Sequence, residues 1–296
     1  MLKSDRPFPS LAFAALLAGG MAIGFAGILM RLSDVNPVAS AFWRMTLSAP
    51  LLWAWALHTA PRDVSSARRI GFTPVLALAG IFFGGDMALW HLSLHLTSVS
   101  NATLLSNFAP LFIALWMCYA WRVRFRPVFL AGMAFALIGA VLVVAPNAVA
   151  GGGEHRLLGD VLGLASAVFY AAYQLVIKEA RVAYSTARLM AWSTSITALV
   201  LLPLALLAPG PILPVQAAGW LPLLGLALFA QVGGQTLIAW ASAHLAPSLS
   251  SVSLLVQPLT ATAAAWIFFG EALGLLQIVG AGLLLGGIYL SRRGTP

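Results

Sequence analysis

Shifted by 148 residues, the second half of this 296-residue chain falls onto the first, glycine on glycine and proline on proline, without a gap. Pro74 lands on Pro222, Gly85 on Gly233, Ser100 on Ser248, Pro110 on Pro258, Leu111 on Leu259, Gly132 on Gly280 and Gly139 on Gly287. Backbone geometry can least exchange glycine and proline, so such matches weigh more than matches among leucines. The chain reads as one unit written twice, residues 1–150 and then 151–296, joined by the Gly151-Gly152-Gly153-Glu154-His155-Arg156 linker.

The unit is built for lipid. The chain is 61% hydrophobic and 8% charged, where a soluble domain carries roughly a quarter charged residues. It holds too few polar groups to cover a surface in water. Ten apolar stretches are long enough to cross a bilayer, about 10–31, 37–58, 71–95, 99–121, 127–146, 157–178, 187–207, 218–243, 248–269 and 275–291. All are expected to be helices, because an isolated strand leaves backbone groups unpaired in hydrocarbon. The first run is too long for a signal segment and lacks a clear cleavage site, so it reads as a retained span. Cys118 is the single cysteine, which excludes an intrachain disulfide.

Basic residues outnumber acidic ones 16 to 8, but they sit in short loops, which points to membrane topology rather than nucleic acid. With the N-terminus inside, the inner loops hold Lys3, Arg6, Arg62, Arg68, Arg69, Arg122, Arg124, Arg126, Lys178, Arg181, Arg188, Arg292 and Arg293, which is 13 of the 16. Both termini are therefore expected in the cytoplasm. Five spans per unit is an odd number, so the second copy must be upside down. The loops agree: three arginines follow the fourth span, while the matching loop after the ninth has Glu271 and no base. The expected fold is an all-α integral membrane protein of ten transmembrane helices in two inverted five-helix repeats.

Duplicated, inverted hydrophobic units are a common construction of secondary transporters, with the substrate site where the repeats meet. The stretches Phe42-Trp43-Arg44, Ala102-Thr103-Leu104-Leu105-Ser106-Asn107-Phe108-Ala109-Pro110-Leu111, Leu255-Val256-Gln257-Pro258-Leu259, Phe269-Gly270-Glu271, Gln277 through Gly280 and Gly286-Gly287 carry a more specific likeness. Through them the chain resembles the drug/metabolite transporter superfamily and its EamA-type branch, and within it the aromatic amino acid exporter (YddG) type. The family often has a Glu in both halves where this chain has Glu271; here the first half has Val123. The resemblance implies export of small metabolites, amino acids among them, across the bacterial inner membrane.

An ionisable residue in mid-span marks a functional site by default, because charge there costs at least a few kcal/mol. Asp86 follows Gly84-Gly85 near the middle of the third span, and Trp90, Ser93 and Thr97 share its helical face. A carboxylate beside an indole suits a substrate ammonium, a coupling proton, or a hydrogen bond to a neighbouring helix. Arg44 in the second span either snorkels to the headgroups or grips a carboxylate. His91 and His95 have i,i+4 spacing, but two ligands do not make a metal site, and packing is the better reading.

Uncharged polar groups and aromatics come from both halves: Trp43, Trp90, Thr103, Asn107, Tyr170, Tyr173, Gln174, Trp192, Gln231, Gln235, Ser253, Gln257 and Thr260. Each alone serves as interhelical glue. Together they suit an aromatic, uncharged-polar cavity for an amphipathic solute. Sugar phosphates would want several convergent bases. Pro110 and Pro258 are expected to kink equivalent helices and act as hinges or plain structural bends. Gly20/Gly24, Gly80/Gly84, Gly159/Gly163 and Gly282/Gly286 have the spacing of close helix contacts.

No phosphate-binding Gly-x-x-x-x-Gly-Lys-Ser/Thr is present, nor a His-Glu-x-x-His or Gly-x-Ser-x-Gly, so neither ATP drive nor the common hydrolases are indicated. The candidate site comprises Asp86 with Trp90 for the amino or aromatic end, Asn107, Tyr170 and Gln257 for hydrogen bonds, and Trp43, Arg44 and Ser253 beside them. The expected function is export of an amphipathic metabolite, an aromatic or hydrophobic amino acid first, by alternating access. Another cargo on the same scaffold, such as a vitamin, nucleobase or cationic drug, is the alternative. An intramembrane lipid enzyme would need a catalytic cluster at one face. Partners are a small-molecule substrate and membrane lipid, with no nucleic acid, no cofactor and no metal, and the chain is expected as a monomer or weak dimer.

Overall fold

The computed structural model describes residues 9–59, 71–97, 99–144, 156–270 and 273–295. The basic residues Lys3, Arg6, Arg62, Arg68 and Arg69, residues 151–155 of the central linker, and Glu271 lie outside them. The described elements are helical throughout. They run α1 (Pro9–Gly24), α2 (Ala26–Leu32), α3 (Pro37–Thr59), α4 (Pro74–Leu96), α5 (Val99–Ser106), α6 (Ala109–Ala120), α7 (Pro127–Val144), α8 (Arg156–Ala183) and α9 (Thr186–Leu207). Then come α10 (Trp220–Gly225), a π-helical stretch Leu226–Gln235, α11 (Thr236–Ser242), α12 (Pro247–Ser253), α13 (Val256–Phe269) and α14 (Leu275–Gly294).

Among the described residues nine helical runs are long and apolar enough to span a bilayer, some of them built from two or more of these elements. The remaining long helix, α3, has 23 residues, about 34 Å of rise. It is less apolar because it carries Ser40, Arg44 and Ser48. All three are buried in the protein rather than set against lipid, as intramembrane polar groups should be.

Packing follows a two-fold. Helix α7, the fifth of the first half, lies along α14, the fifth of the second. The second helix, α3, lies along the seventh, α9. The remaining pairs exchange: α4 packs on α8, and α1 packs on the π-helical stretch and α11, which is the same pair with the halves swapped.

The α7–α14 seam shows the symmetry residue by residue. A Cβ placed on Gly287 would stand 2.6 Å from the Gly132 carbonyl oxygen, and one on Gly139 2.6 Å from the Gly280 carbonyl oxygen. Gly287 also abuts the Ala136 amide, and Gly139 the Leu284 amide, again equivalent positions. Of the glycines that matched in sequence, Gly132, Gly139, Gly280 and Gly287 meet across the axis, where only a missing side chain lets backbones touch.

Three of the four GxxxG pairs also sit at contacts. Gly20 and Gly24 face α13, Gly80 and Gly84 face Ile196 and Val200 of α9, and Gly159 and Gly163 face the end of α4 and the start of the next span. The fourth is a correction. Gly282 and Gly286 have nothing within 4 Å of a built Cβ, so they face away from the seam that Gly280 and Gly287 form on the same helix.

The equivalent prolines do interrupt their helices. Proline lacks the amide hydrogen, and its ring clashes with the carbonyl four residues back. For Pro110 that residue is Ser106, where α5 ends; for Pro258 it is Leu254, where α12 gives way. The fourth and ninth spans are therefore each two helices in series. Span eight loosens into a π-helical stretch, with backbone bonds spanning five residues rather than four, that its counterpart α4 does not share.

Gly287→Ala should destabilise the protein by about 1–3 kcal/mol through overpacking, whereas Gly286→Ala should be neutral or slightly stabilising. Thermal unfolding of the two variants in detergent separates them.

Candidate functional site

Asp86 is half-buried on α4, one residue past Gly85, whose missing side chain admits the Phe169 ring of α8. That close approach brings α8 near enough for the Ser166 hydroxyl to donate to Asp86 Oδ1 at 2.6 Å. The rest of the predicted face works as a zipper between the same two helices. Ser93 Oγ donates to the Gly159 carbonyl at 2.7 Å and Thr97 Oγ1 to Asp160 Oδ1 at 2.7 Å. Trp90, also on this face, is half-buried and sits edge-on to His91 with centroids 4.9 Å apart.

Arg44 is held inside rather than snorkelling. It is 6% exposed; its Nε donates to Gln231 Oε1 at 3.2 Å, and Gln231 Nε2 donates to Thr194 Oγ1 at 3.0 Å. Its Nη2 is buried with no hydrogen-bond partner. Arg44 lies within electrostatic reach of Asp86, Tyr170 and Tyr173, yet among the described residues no ion pair joins it to Asp86. A carboxyl group and a guanidinium thus share one interior without touching.

Helix α8 supplies the wall beside them. Ser166, Tyr170 and Gln174 follow at four-residue steps and so share a face. Tyr173, completely buried, stacks on Phe83 of α4 at 4.5 Å and accepts from Gln235 Nε2 at 2.8 Å. The Tyr170 hydroxyl lies beside the Gln257 side chain. Gln231 and Gln235 both stand on the π-helical stretch, whose wider turn sets their four-residue spacing on nearly one line and lets both enter the cluster.

Beside Tyr170 is a small cavity of about 20 Å³, bordered by Asn107, Pro110, Tyr170, Gln174, Leu254 and Gln257. Both helix breaks therefore open onto it. The structure brings together Arg44, Asp86, Asn107, Tyr170 and Gln257 from the sequence-derived set, either around this cavity or in electrostatic contact with Tyr170.

Trp43 and Ser253 are engaged elsewhere. Trp43 Nε1 donates to the Ile212 carbonyl at 2.7 Å, and its ring meets Trp220 edge-on at 4.9 Å. Ser253 Oγ donates to the Leu249 carbonyl of its own helix at 2.7 Å. His91 Nδ1 is bonded to the Met87 carbonyl at 2.6 Å, and among the described residues no group of three metal-ligating side chains occurs. Ser166 and Thr194 were not legible as site residues: Ser166 is a small hydroxyl between alanines and Thr194 is one of four hydroxyls in Ser193-Thr194-Ser195-Ile196-Thr197, and only packing shows their partners.

Comparison with known proteins gives the scaffold a context. Residues 10–145 and 157–293 each match the EamA-like transporter family. An uncharacterized transporter of Archaeoglobus fulgidus is 26% identical over 285 residues, covering 95% of both chains. A "probable terminal-alkyne amino-acid exporter" of Streptantibioticus cattleyicolor is 28% identical over 283 residues, covering 93% of this chain and 90% of that one. A protein of known crystal structure has the same fold, with a TM-score of 0.81 at 18% identity, covering 96% of this chain and 97% of that one.

Gln231→Leu should lower stability by about 1–3 kcal/mol, because it strips the Arg44 Nε and the Thr194 hydroxyl of a buried partner. Leucine conserves the volume, so a thermal midpoint equal to the parent's would show that the Arg44–Gln231–Thr194 chain is not structural.

Proposed function

We infer, because the chain belongs to the EamA-like transporter family, that it exports small amphipathic metabolites, with aromatic or hydrophobic amino acids as the leading cargo. It is a multi-pass membrane transporter, not an enzyme. The observation that carries the cargo class is the interior between the halves. It offers one carboxylate, one guanidinium, several amides and the Tyr170 and Tyr173 rings, without a cluster of bases. Such a lining matches a solute with an apolar body and compensating charges, and matches a phosphorylated one poorly. The similarity to a probable amino-acid exporter supports the same class.

In this reading Asp86, with Trp90 along the same helix face, takes the cargo's ammonium by charge and cation–π attraction. Asn107, Tyr170 and Gln257 supply hydrogen bonds at the cavity further along α8. The two helix breaks at Asn107-Phe108 and Leu254-Leu255 let the cavity open to one side and then the other, since a broken helix bends at little cost. The protein resides in a bacterial inner membrane with both termini in the cytoplasm, as the distribution of arginines favours.

Counterflow in proteoliposomes with a panel of labelled amino acids tests the cargo. Phenylalanine or another hydrophobic amino acid should accumulate, and Asp86→Asn should cut its uptake by at least about tenfold through loss of one charge-assisted contact. Accumulation of none of the panel would remove the amino-acid reading, and unchanged uptake in Asp86→Asn would remove the role of its charge.

Orientation has its own check. Alkaline phosphatase fused after Pro296 should be inactive, and the same enzyme inserted at 208–217 should be active. The reverse pattern would invert the topology.

A further inference from the structure

We propose that the cavity at the two helix breaks is a seat for a carboxylate, separate from the place of Asp86 and built around Gln174. The inference rests on the reading of the chain as a carrier of amino-acid-like solutes and names where the acidic end of such a solute is held. Gln174 is 5% exposed, borders the cavity, and its Nε2 has no hydrogen-bond partner. Asn107 Nδ2, from the fourth span, is likewise buried and unpartnered on the same cavity, and Gln257, from the ninth, stands there against the Tyr170 hydroxyl.

Leaving a buried N–H without an acceptor is costly. Gln174 and Asn107 both present donors to this one small space, and an ionised carboxylate brings acceptors and no protons to them.

Backbone electrostatics agree. Helices α6 and α13, of 12 and 14 residues, begin at Ala109 and Val256. Ala109, Leu255 and Gln257 border the cavity, so two helix N-termini adjoin it. The N-terminal end of a helix carries partial positive charge and favours an anion. No lysine or arginine borders the cavity, so a single negative charge fits better than a phosphate dianion.

The seat is not the Asp86 site. Ser166, which holds Asp86, and Gln174 are eight residues apart on α8, a rise of about 12 Å. Tyr170 stands between them. An α-amino acid bears both charged groups on one carbon and cannot touch both places at once. They are successive stations, one reading the ammonium and the other the carboxylate.

Binding of 3-phenylpropionate and of phenethylamine to the full chain in lipid nanodiscs, followed by calorimetry, tests this. The parent should bind both. Gln174→Glu puts a like charge in the seat, so it should weaken 3-phenylpropionate by at least about tenfold without weakening phenethylamine. Asn107→Asp, checked for folding by its thermal midpoint, should repeat the pattern if Gln174→Glu does not fold. A parent that fails to bind 3-phenylpropionate, or folded variants that bind it as the parent does, would overturn the seat. Phenylalanine counterflow on the parent separates the two readings. Flow together with variant-insensitive 3-phenylpropionate binding overturns the seat alone. Variant-sensitive binding without flow of any amino acid overturns the amino-acid reading and leaves the seat standing.

Discussion

Backbone against backbone along α7 and α14 is the contact on which the arrangement of the halves turns. In lipid, helices gain nothing from hiding apolar side chains, so association relies on close van der Waals packing and interhelical hydrogen bonds. Gly132, Gly139, Gly280 and Gly287 let two helices touch along their length, Gly132 meeting the Gly287 carbonyl and Gly280 the Gly139 carbonyl. Because the contact is made by equivalent positions, it sets the axis about which α4/α8 and α1/α11 must pair. The interior between those pairs is where the polar groups collect.

That interior departs from the symmetry of its frame. Asp86 corresponds to Gly234, and Asn107 to Leu255. The third span remains a regular helix and presents a carboxylate, while the eighth loosens and presents two glutamines. The frame needs equivalent glycines and prolines to close. The lining carries no such requirement, and duplication leaves each half free to change its own.

Much of the scaffold was legible in sequence for a physical reason. Length of apolar run, proline chemistry and arginine placement each act locally, so spans and breaks follow from residues a few positions apart. The matched glycines revealed the duplication, and the seam that Gly132, Gly139, Gly280 and Gly287 form became visible only in the structure. The GxxxG pair Gly282/Gly286 misled, since spacing says which residues share a face but not which neighbour the face meets. The site was legible in part. Asp86 and Arg44 stood out by charge, and the amides by their polarity in apolar helices. Trp43 and Ser253 have the right chemistry at the right depth, but their hydrogen bonds go to Ile212 and Leu249. Ser166 and Thr194 have partners set by helix rotation, which no periodicity in one sequence encodes.

The coexistence of Arg44 and Asp86 also bears on the voltage across the membrane. Moving one elementary charge through 100 mV changes its energy by about 2.3 kcal/mol. A lining with a single ionised group would make each reorientation of the empty carrier sensitive to that field. Ionised together, the guanidinium and the carboxylate sum to zero, so the empty site carries no net charge from side to side. If the cargo is a zwitterion, loading leaves that balance unchanged, whereas a cationic cargo would add a charge on which the field acts.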